Sequence, residues 1–264
     1  MISLTVRFAR ALWAFGLILG DYLIQHGLTK LFVKREFDPA TGKRRKKRPE
    51  WLKRRRERLD QRNAQRTLDA MLRLRGVYIK LGQVLSIMGG FLPRPFVKKL
   101  AVLQDRVPPH PFSEVEKVFL RQLRKRPDEC FRSIEREPVA AASLGQVHVA
   151  YLQDGTKVAV KILYPQIRDV IRVDMIIVRM ALRVYQWFVP VGGVENSYNA
   201  LVDLLRRETD YLHEAECMTR MAKNFADDPD ILFPAVVQEF TTSDILTMTF
   251  MEGVKITNFE ALSA

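Results

Sequence analysis

A chain of 264 residues, 47% apolar and 28% charged, is long enough for one large domain or one domain with appendages, and it is too apolar to be disordered throughout. Its formal net charge of +13 is concentrated in one stretch and points to anionic partners, either acidic lipid or nucleic acid. The two cysteines, Cys130 and Cys217, show no CxxC or Cys/His spacing, which argues against a metal or redox pair and leaves a reduced intracellular compartment as the default.

Residues 1–33 read as an apolar helix. The longest uncharged run, Ala11 to Gly20, is preceded by Arg7 and Arg10 and cut by Asp21. A membrane span needs about 20 apolar residues, so this run is too short to cross. No small-residue cleavage site follows, which argues against a cleaved signal peptide. Trp13, Phe15, Leu17 and Ile18, followed by a basic block, suit a membrane interface. A helix packed on the rest of the domain is the alternative.

Residues 34–63 read as a basic linker. Lys43, Arg44, Arg45, Lys46, Lys47 and Arg48 are followed by Lys53 to Arg56 and Arg58, with Pro39 and Gly42 marking a turn. Over 64–88, Leu68, Met71, Leu72, Ile79 and Val84 recur at helical spacing and predict one helix, ended by Gly89-Gly90, Pro93 and Pro95. Pro111 to Leu123 predicts another, with Ser113 as its cap and Glu116 three residues later. Residues 64–130 thus form a helical extension.

Beyond 131 the period changes to two. Val147, Val149 and Tyr151 alternate, as do Val158, Val160 and Ile162, and Asp154-Gly155 between them signals a hairpin. Helices are predicted from Gln166 to Phe188 and, after Gly192-Gly193, from Asn199 to Asn224. Two further strands, Val236 to Phe240 and Ile245 to Met251, flank a turn. The class is α+β, a small antiparallel sheet with helices before it and inserted within it.

The hairpin carries the chemistry. On its second strand Ala159 and Lys161 share one face, and a small residue beside a lysine leaves room for a flat ring with an ammonium near its phosphates. The preceding Ala140, Ala141, Ala142 and Ser143 have side chains small enough for a backbone to approach phosphate. Small-residue loop, strand, tight turn and Val-Ala-Val-Lys resemble the nucleotide lobe of protein kinases. A lysine in that role needs a carboxylate from a helix, and Glu208, Asp210 and Glu214 are the candidates. On one continuous helix Glu208 and Glu214 stand about 240° apart and would serve different cations, whereas Asp210 and Glu214 share a face. Lys80 and Gln83 share a face of the earlier helix. Gly82 between them costs roughly 1 kcal/mol against alanine and implies a close backbone approach.

A KxGQ helix, an alanine-rich loop, a VAVK strand and an ExD motif together resemble the UbiB atypical kinase-like family, also called the aarF-type family, over roughly Ala70 to Gly253. The strings Ile79 to Ser86, Pro138 to His148 and Glu208 to Glu216 are the most specific. The resemblance implies a protein-kinase-like N-lobe over 131–264 and ATP as ligand. It implies that Lys161 contacts phosphates and pairs with Glu214, that Ala140 to Ser143 cover the phosphates, and that Lys80 and Gln83 pair with Glu208 and Asp210. It implies Met248 as gatekeeper, with Thr249 to Met251 along the adenine edge. It also implies a role in ubiquinone or other isoprenoid-lipid biosynthesis, with lipid or quinone-biosynthesis proteins as partners, and a cytoplasmic position peripheral to the membrane.

The chain departs from a kinase in one respect. No HxD or DFG element occurs, and the sequence stops at Ala264, soon after the expected hinge. No catalytic residue or metal ligand is therefore assigned, and magnesium is expected only where the second lobe is present. The remaining functional alternatives are a non-catalytic membrane-associated scaffold or lipid-binding module, and a nucleic-acid binder. The last would need stacking aromatics among its charges, and only Trp51 lies there.

Overall fold

The computed structural model describes residues 4–38, 43–87, 92–104, 109–188 and 193–254, with no side chains described over 34–47 or at 4, 185, 187 and 188. The elements in order are α1 (Leu4–Phe32), β1 (Lys34–Asp38), β2 (Lys43–Lys47), α2 (Glu50–Leu74), α3 (Val77–Ile87), α4 (Arg94–Leu100), α5 (Phe112–Gln122), α6 (Pro127–Cys130), β3 (Ser133–Ile134), β4 (Ala140–Ala141), β5 (Gly145–Tyr151), β6 (Lys157–Leu163), α7 (Ile167–Phe188), α8 (Val194–Glu208), α9 (Tyr211–Asn224) and β7 (Ile245–Thr249). They divide into two packed units, Met1–Val107 with Asp169–Leu201, and Pro108–Arg168 with Val202–Ala264. The α+β expectation holds. The division differs from the sequence reading, because α5 and α6 belong with the sheet while most of α7 belongs with the N-terminal helices.

In the first unit α1 packs along α2. Asp21 accepts from Arg62 (2.8 Å) and Arg66 (2.9 Å), the Tyr22 hydroxyl donates to Asp60 (2.7 Å), and Phe32 meets Trp51 edge-on. The expected linker over 34–63 is instead an antiparallel hairpin, β1 with β2, followed by the first half of α2. Its Pro39 and Gly42 and the side chains of Lys43 to Lys47 lie outside the described residues, as do Gly89 and Gly90. The basic run after Pro49 is helical because Leu52, Leu59, Ala64, Leu68 and Met71 supply a buried stripe, while the arginines take the wet side. Trp51 meets Phe32 edge-on yet stays 47% exposed, and no second aromatic on the arginine-bearing side of α2 joins it.

The helix expected over 64–88 is two helices. Arg75 and Gly76 both adopt φ of 57°, which turns the chain between α2 and α3. Arg7 from α1 braces that corner. It donates to the carbonyls of Leu74 and Arg75 and forms a two-pronged pair with Asp174 on α7, Nε to Oδ1 at 2.9 Å. Asp174 is fully buried, and burial pushes its carboxyl above the ordinary range although Arg7 pulls it down.

In the second unit the strands are all antiparallel, in the order β3-β5-β6-β7, with β4 also on β5. Val158, Val160, Ile162 and Ile245 face a core completed by Val115, Val118 and Phe119 of α5, Cys130 and Phe131. Alternation along β6 sends these apolar residues to one face, which leaves Ala159 and Lys161 on the other. Cys130 is a core residue whose thiol burial pushes up. Two local expectations change. α5 is capped by Pro111, so Ser113 sits inside its first turn. Val236 makes only an isolated bridge to Met248, and Gln238–Phe240 is a 3-10 turn rather than a strand.

Candidate functional site

β5 and β6 pair in a register that sets Val147 opposite Lys161 and Val149 opposite Ala159, while β7 sets Leu246 opposite Lys161 and Met248 opposite Ala159. Residues directly opposite share a face. Lys161, Ala159 and Met248 therefore stand on the side of the sheet away from the α5 core. The Lys161 ammonium donates to both oxygens of Glu214 on α9, each at 2.7 Å, and lies 4.7 Å from the ring centroid of Tyr211. Tyr211 precedes Glu214 by three residues on the same helix, so ring and carboxylate meet the lysine together. Tyr211 is buried, and burial keeps its phenol well above the ordinary range, so the lysine sits over a neutral ring.

The alanine stretch is not a free loop. Ala140 and Ala141 form β4 against Val147 and Gln146, and Ala142 N–H closes the turn by donating to the Gly145 carbonyl (2.8 Å). Ser143 is buried at that turn. Gly145 is a position where only glycine fits. A Cβ there would lie 2.5 Å from the Ile162 carbonyl oxygen and 2.9 Å from the Tyr211 hydroxyl. Tyr211 thus neighbours both the glycine that follows the turn and the Lys161 ammonium, at one end of the sheet. Met251 lies just beyond β7 and is exposed, next to Phe250, whose N–H donates to the Lys157 carbonyl (3.0 Å).

Helix α8 ends at Glu208, and the chain breaks at Thr209 and Asp210. Asp210 caps α9, its carboxylate accepting from the His213 N–H (3.1 Å). The angular argument for Glu208, Asp210 and Glu214 assumed one continuous helix and does not apply. An Asp at the N-cap outcompetes continuation of the helix because it satisfies an otherwise orphaned amide. Arg168 fixes the break, donating to the Thr209 carbonyl (2.6 Å), the Ser243 carbonyl (2.9 Å) and the buried Asp244.

Lys80, Gly82 and Gln83 lie on α3 in the first unit, whereas Glu208 and Asp210 lie in the second. Within its own unit the Gln83 amide donates to the Leu103 carbonyl (2.9 Å). Gly82 is needed for side chains rather than a backbone, since its Cβ would lie 2.4 Å from Leu103 Cδ1 and 2.8 Å from Met71 Sδ. Tyr211, Gly145 and Arg168 escaped the sequence reading. Only the first left a signal, its i, i+3 spacing to Glu214. Among the described residues no three His, Cys, Asp or Glu side chains converge as metal ligands.

A model of the ABC1 atypical kinase-like domain matches residues 102–264. The chain is 34% identical over 202 residues to the probable serine/threonine-protein kinase abkD of Dictyostelium discoideum, covering 76% of this chain and 29% of that one. It is 32% identical over 197 residues to AarF domain-containing kinase 1 of Drosophila melanogaster, covering 75% and 38%. Among solved structures it is similar to Rv3197 of Mycobacterium tuberculosis, determined in complex with erythromycin, with a TM-score of 0.51 and 30% identity over 80% of this chain and 54% of that one. The chain spans roughly a third of the length of these curated relatives. The kinase-like sheet with its lysine and glutamate, and a domain match over more than half the residues, agree: the chain belongs to the ABC1 atypical kinase-like family, the UbiB type.

Proposed function

We propose that the second unit binds ATP on the sheet face that carries Ala159 and Lys161, within an atypical kinase-like or ATPase-like protein that supports ubiquinone or other isoprenoid-lipid biosynthesis. The observation that carries this reading is the Lys161–Glu214 pair. A partly exposed ion pair adds little stability by itself. Its chemical use is to hold an ammonium at a fixed place, where phosphate oxygens can share it. Ala159 leaves room beside it for a flat base, Met248 borders that room from β7, and the Ala140 to Ser143 turn offers small side chains and backbone near the same end. The test is the rise in Tm on adding ATP, for the parent and for Lys161→Ala. An equal rise in both overturns the phosphate role of Lys161. The lipid part rests on the family resemblance. Unchanged quinone content in cells whose protein carries Lys161→Ala would overturn it.

One observation favours a second, compatible reading, peripheral docking on an anionic membrane. No described helix is long and apolar enough to cross a membrane. Yet α1, whose inner side packs on α2, leaves Trp13 72%, Ile24 56% and Leu31 76% exposed. Arg10 and Lys30 are exposed on the same helix. An apolar ridge with basic flanks suits the interface between acyl chains and anionic headgroups.

A further inference from the structure

Residues 142–144 make the turn between β4 and β5, and a single residue grips it at two points. The Tyr164 hydroxyl donates to the Ala142 carbonyl (3.2 Å), and the Tyr164 backbone N–H donates to the Leu144 carbonyl (3.0 Å). Tyr164 is itself held. It is buried, and its ring stacks on the His110 imidazole with centroids 3.8 Å apart and planes 19° apart. His110 is pinned in turn. Its N–H donates to Gln146 Oε1 (2.9 Å), its carbonyl accepts from Gln146 Nε2 (3.2 Å), and its Nδ1 lies 2.6 Å from Glu114.

We propose that Tyr164 is a positioning residue that locks the Ala142–Leu144 turn in the shape that receives phosphate groups, with His110 as its backing. The proposal rests on the nucleotide reading above and names the residue that sets the geometry of its phosphate end. A backbone cradle favours phosphate only when its groups are aimed before the ligand arrives, since ordering them afterwards subtracts from affinity. Alanines do not aim a turn by themselves. Tyr164 does so from a position three residues after Lys161 on the same run of chain. The turn and the ammonium are thereby held at a fixed separation by one short, rigid segment.

Tyr164→Phe keeps the ring and its stack and removes only the hydroxyl. His110→Ala removes the backing, and His110→Phe keeps a ring there. On the 264-residue chain, the measurements are amide hydrogen exchange at residues 142–145 without nucleotide, and dissociation constants for ATP and for adenosine. Loss of one hydrogen bond predicts faster exchange and ATP affinity weaker by roughly 2- to 10-fold in Tyr164→Phe, with adenosine unchanged. His110→Ala should behave alike, and His110→Phe should resemble the parent. Equal losses for ATP and adenosine mean a general role in the fold and overturn the proposal. An ATP affinity that stays at the parent value also overturns it, even where exchange quickens. A parent that binds no ATP overturns the nucleotide reading itself and the role of Tyr164 with it.

Discussion

Lys161 and Glu214, 53 residues apart, meet with the lysine nitrogen 2.7 Å from each carboxylate oxygen, and both side chains stay about one-third exposed. The pair is thus placed where a ligand can reach it. Exchanging the partners, Lys161→Glu with Glu214→Lys, should recover most of the stability lost in either single variant, a loss of about 1 kcal/mol or less at this exposure. It should not recover the ATP-induced rise in Tm, because the cation then sits on α9 rather than beside Ala159. Urea denaturation with and without ATP separates the two outcomes. Recovery of both would mean that the position of the charge is immaterial.

Two helical glycines should respond to alanine with opposite signs. Gly82 is enclosed by Leu103 and Met71, both buried, so a methyl group there overpacks the core, typically at 1–3 kcal/mol, against roughly 1 kcal/mol regained in helix propensity. Gly16 on α1 has nothing within 4 Å of its added Cβ and should gain the propensity term outright. Chemical denaturation of Gly82→Ala and Gly16→Ala checks the pair. A stabilising Gly82→Ala would contradict the packing.

Arg7 and Asp174 give a prediction with a pH signature. Removing Arg7 leaves a buried carboxylate unpaired, and Arg7→Met should cost about 3–5 kcal/mol at neutral pH. The folded carboxyl titrates above its free value of 3.8, so its favourable contribution is complete at low pH and is lost as pH rises through the folded value. The deficit of Arg7→Met should therefore shrink as pH falls toward 4, and adding Asp174→Asn should remove most of it at neutral pH. A deficit that ignores both pH and the second substitution would show that Arg7 acts only through its contacts with the Leu74 and Arg75 carbonyls.

The buried imidazole of His148 acts in the other direction. Its Nδ1 lies 2.7 Å from the Glu135 carbonyl, which can only accept, so Nδ1 carries the proton and Nε2 accepts from the Gln146 amide at 2.9 Å. Burial pulls its pKa below 6.5. A folded value below the unfolded one means stability that is present above about 6.5 and is lost as pH falls through the folded value. Denaturation midpoints from pH 8 to pH 5 should fall for the parent and flatten in His148→Asn. Parallel profiles would assign the acid sensitivity elsewhere.

What the sequence made legible was what is periodic or local. The Val158, Val160 and Ile162 alternation named the buried face of β6, and with it the face of Lys161, because strand geometry leaves no other choice. The KxGQ, VAVK and ExD strings named the family. The break at Thr209–Asp210 was hidden because Arg206 to Glu216 reads as continuous helix, and only the cap bond of Asp210 reveals the stop. The helical nature of 50–63 was hidden by its charge, which masked a buried stripe seven residues apart at Leu52 and Leu59. Tyr164 on Ala142 and Arg7 on Asp174 are tertiary pairings, and nothing local in either partner announces the other.

The outward face of α1 supplies the last prediction. Its inner face is used up by Asp21, Tyr22, Gln25 and Phe15, so the apolar residues left outside are not waiting for α2. Trp13, Ile24 and Leu31 recur at helical spacing on that exposed side. Vesicles with anionic headgroups should bind the chain, with a blue shift of tryptophan emission as Trp13 enters the interface. Binding should weaken with salt, since charges are screened beyond about 10 Å at 0.1 M. Ile24→Ser and Leu31→Ser each remove a side chain whose burial is worth about 1.5–3 kcal/mol, so each should lower vesicle affinity by roughly tenfold or more while leaving the Tm unchanged. On that reading the basic residues supply direction and the apolar ridge depth, and the two contributions should separate in the data. Salt should act on the parent and on Ile24→Ser alike, whereas the serine variants should reduce the residual binding that survives at high salt. Equal binding to neutral and anionic vesicles would remove the role given to Arg10 and Lys30. Indifference to both serine substitutions would remove the ridge.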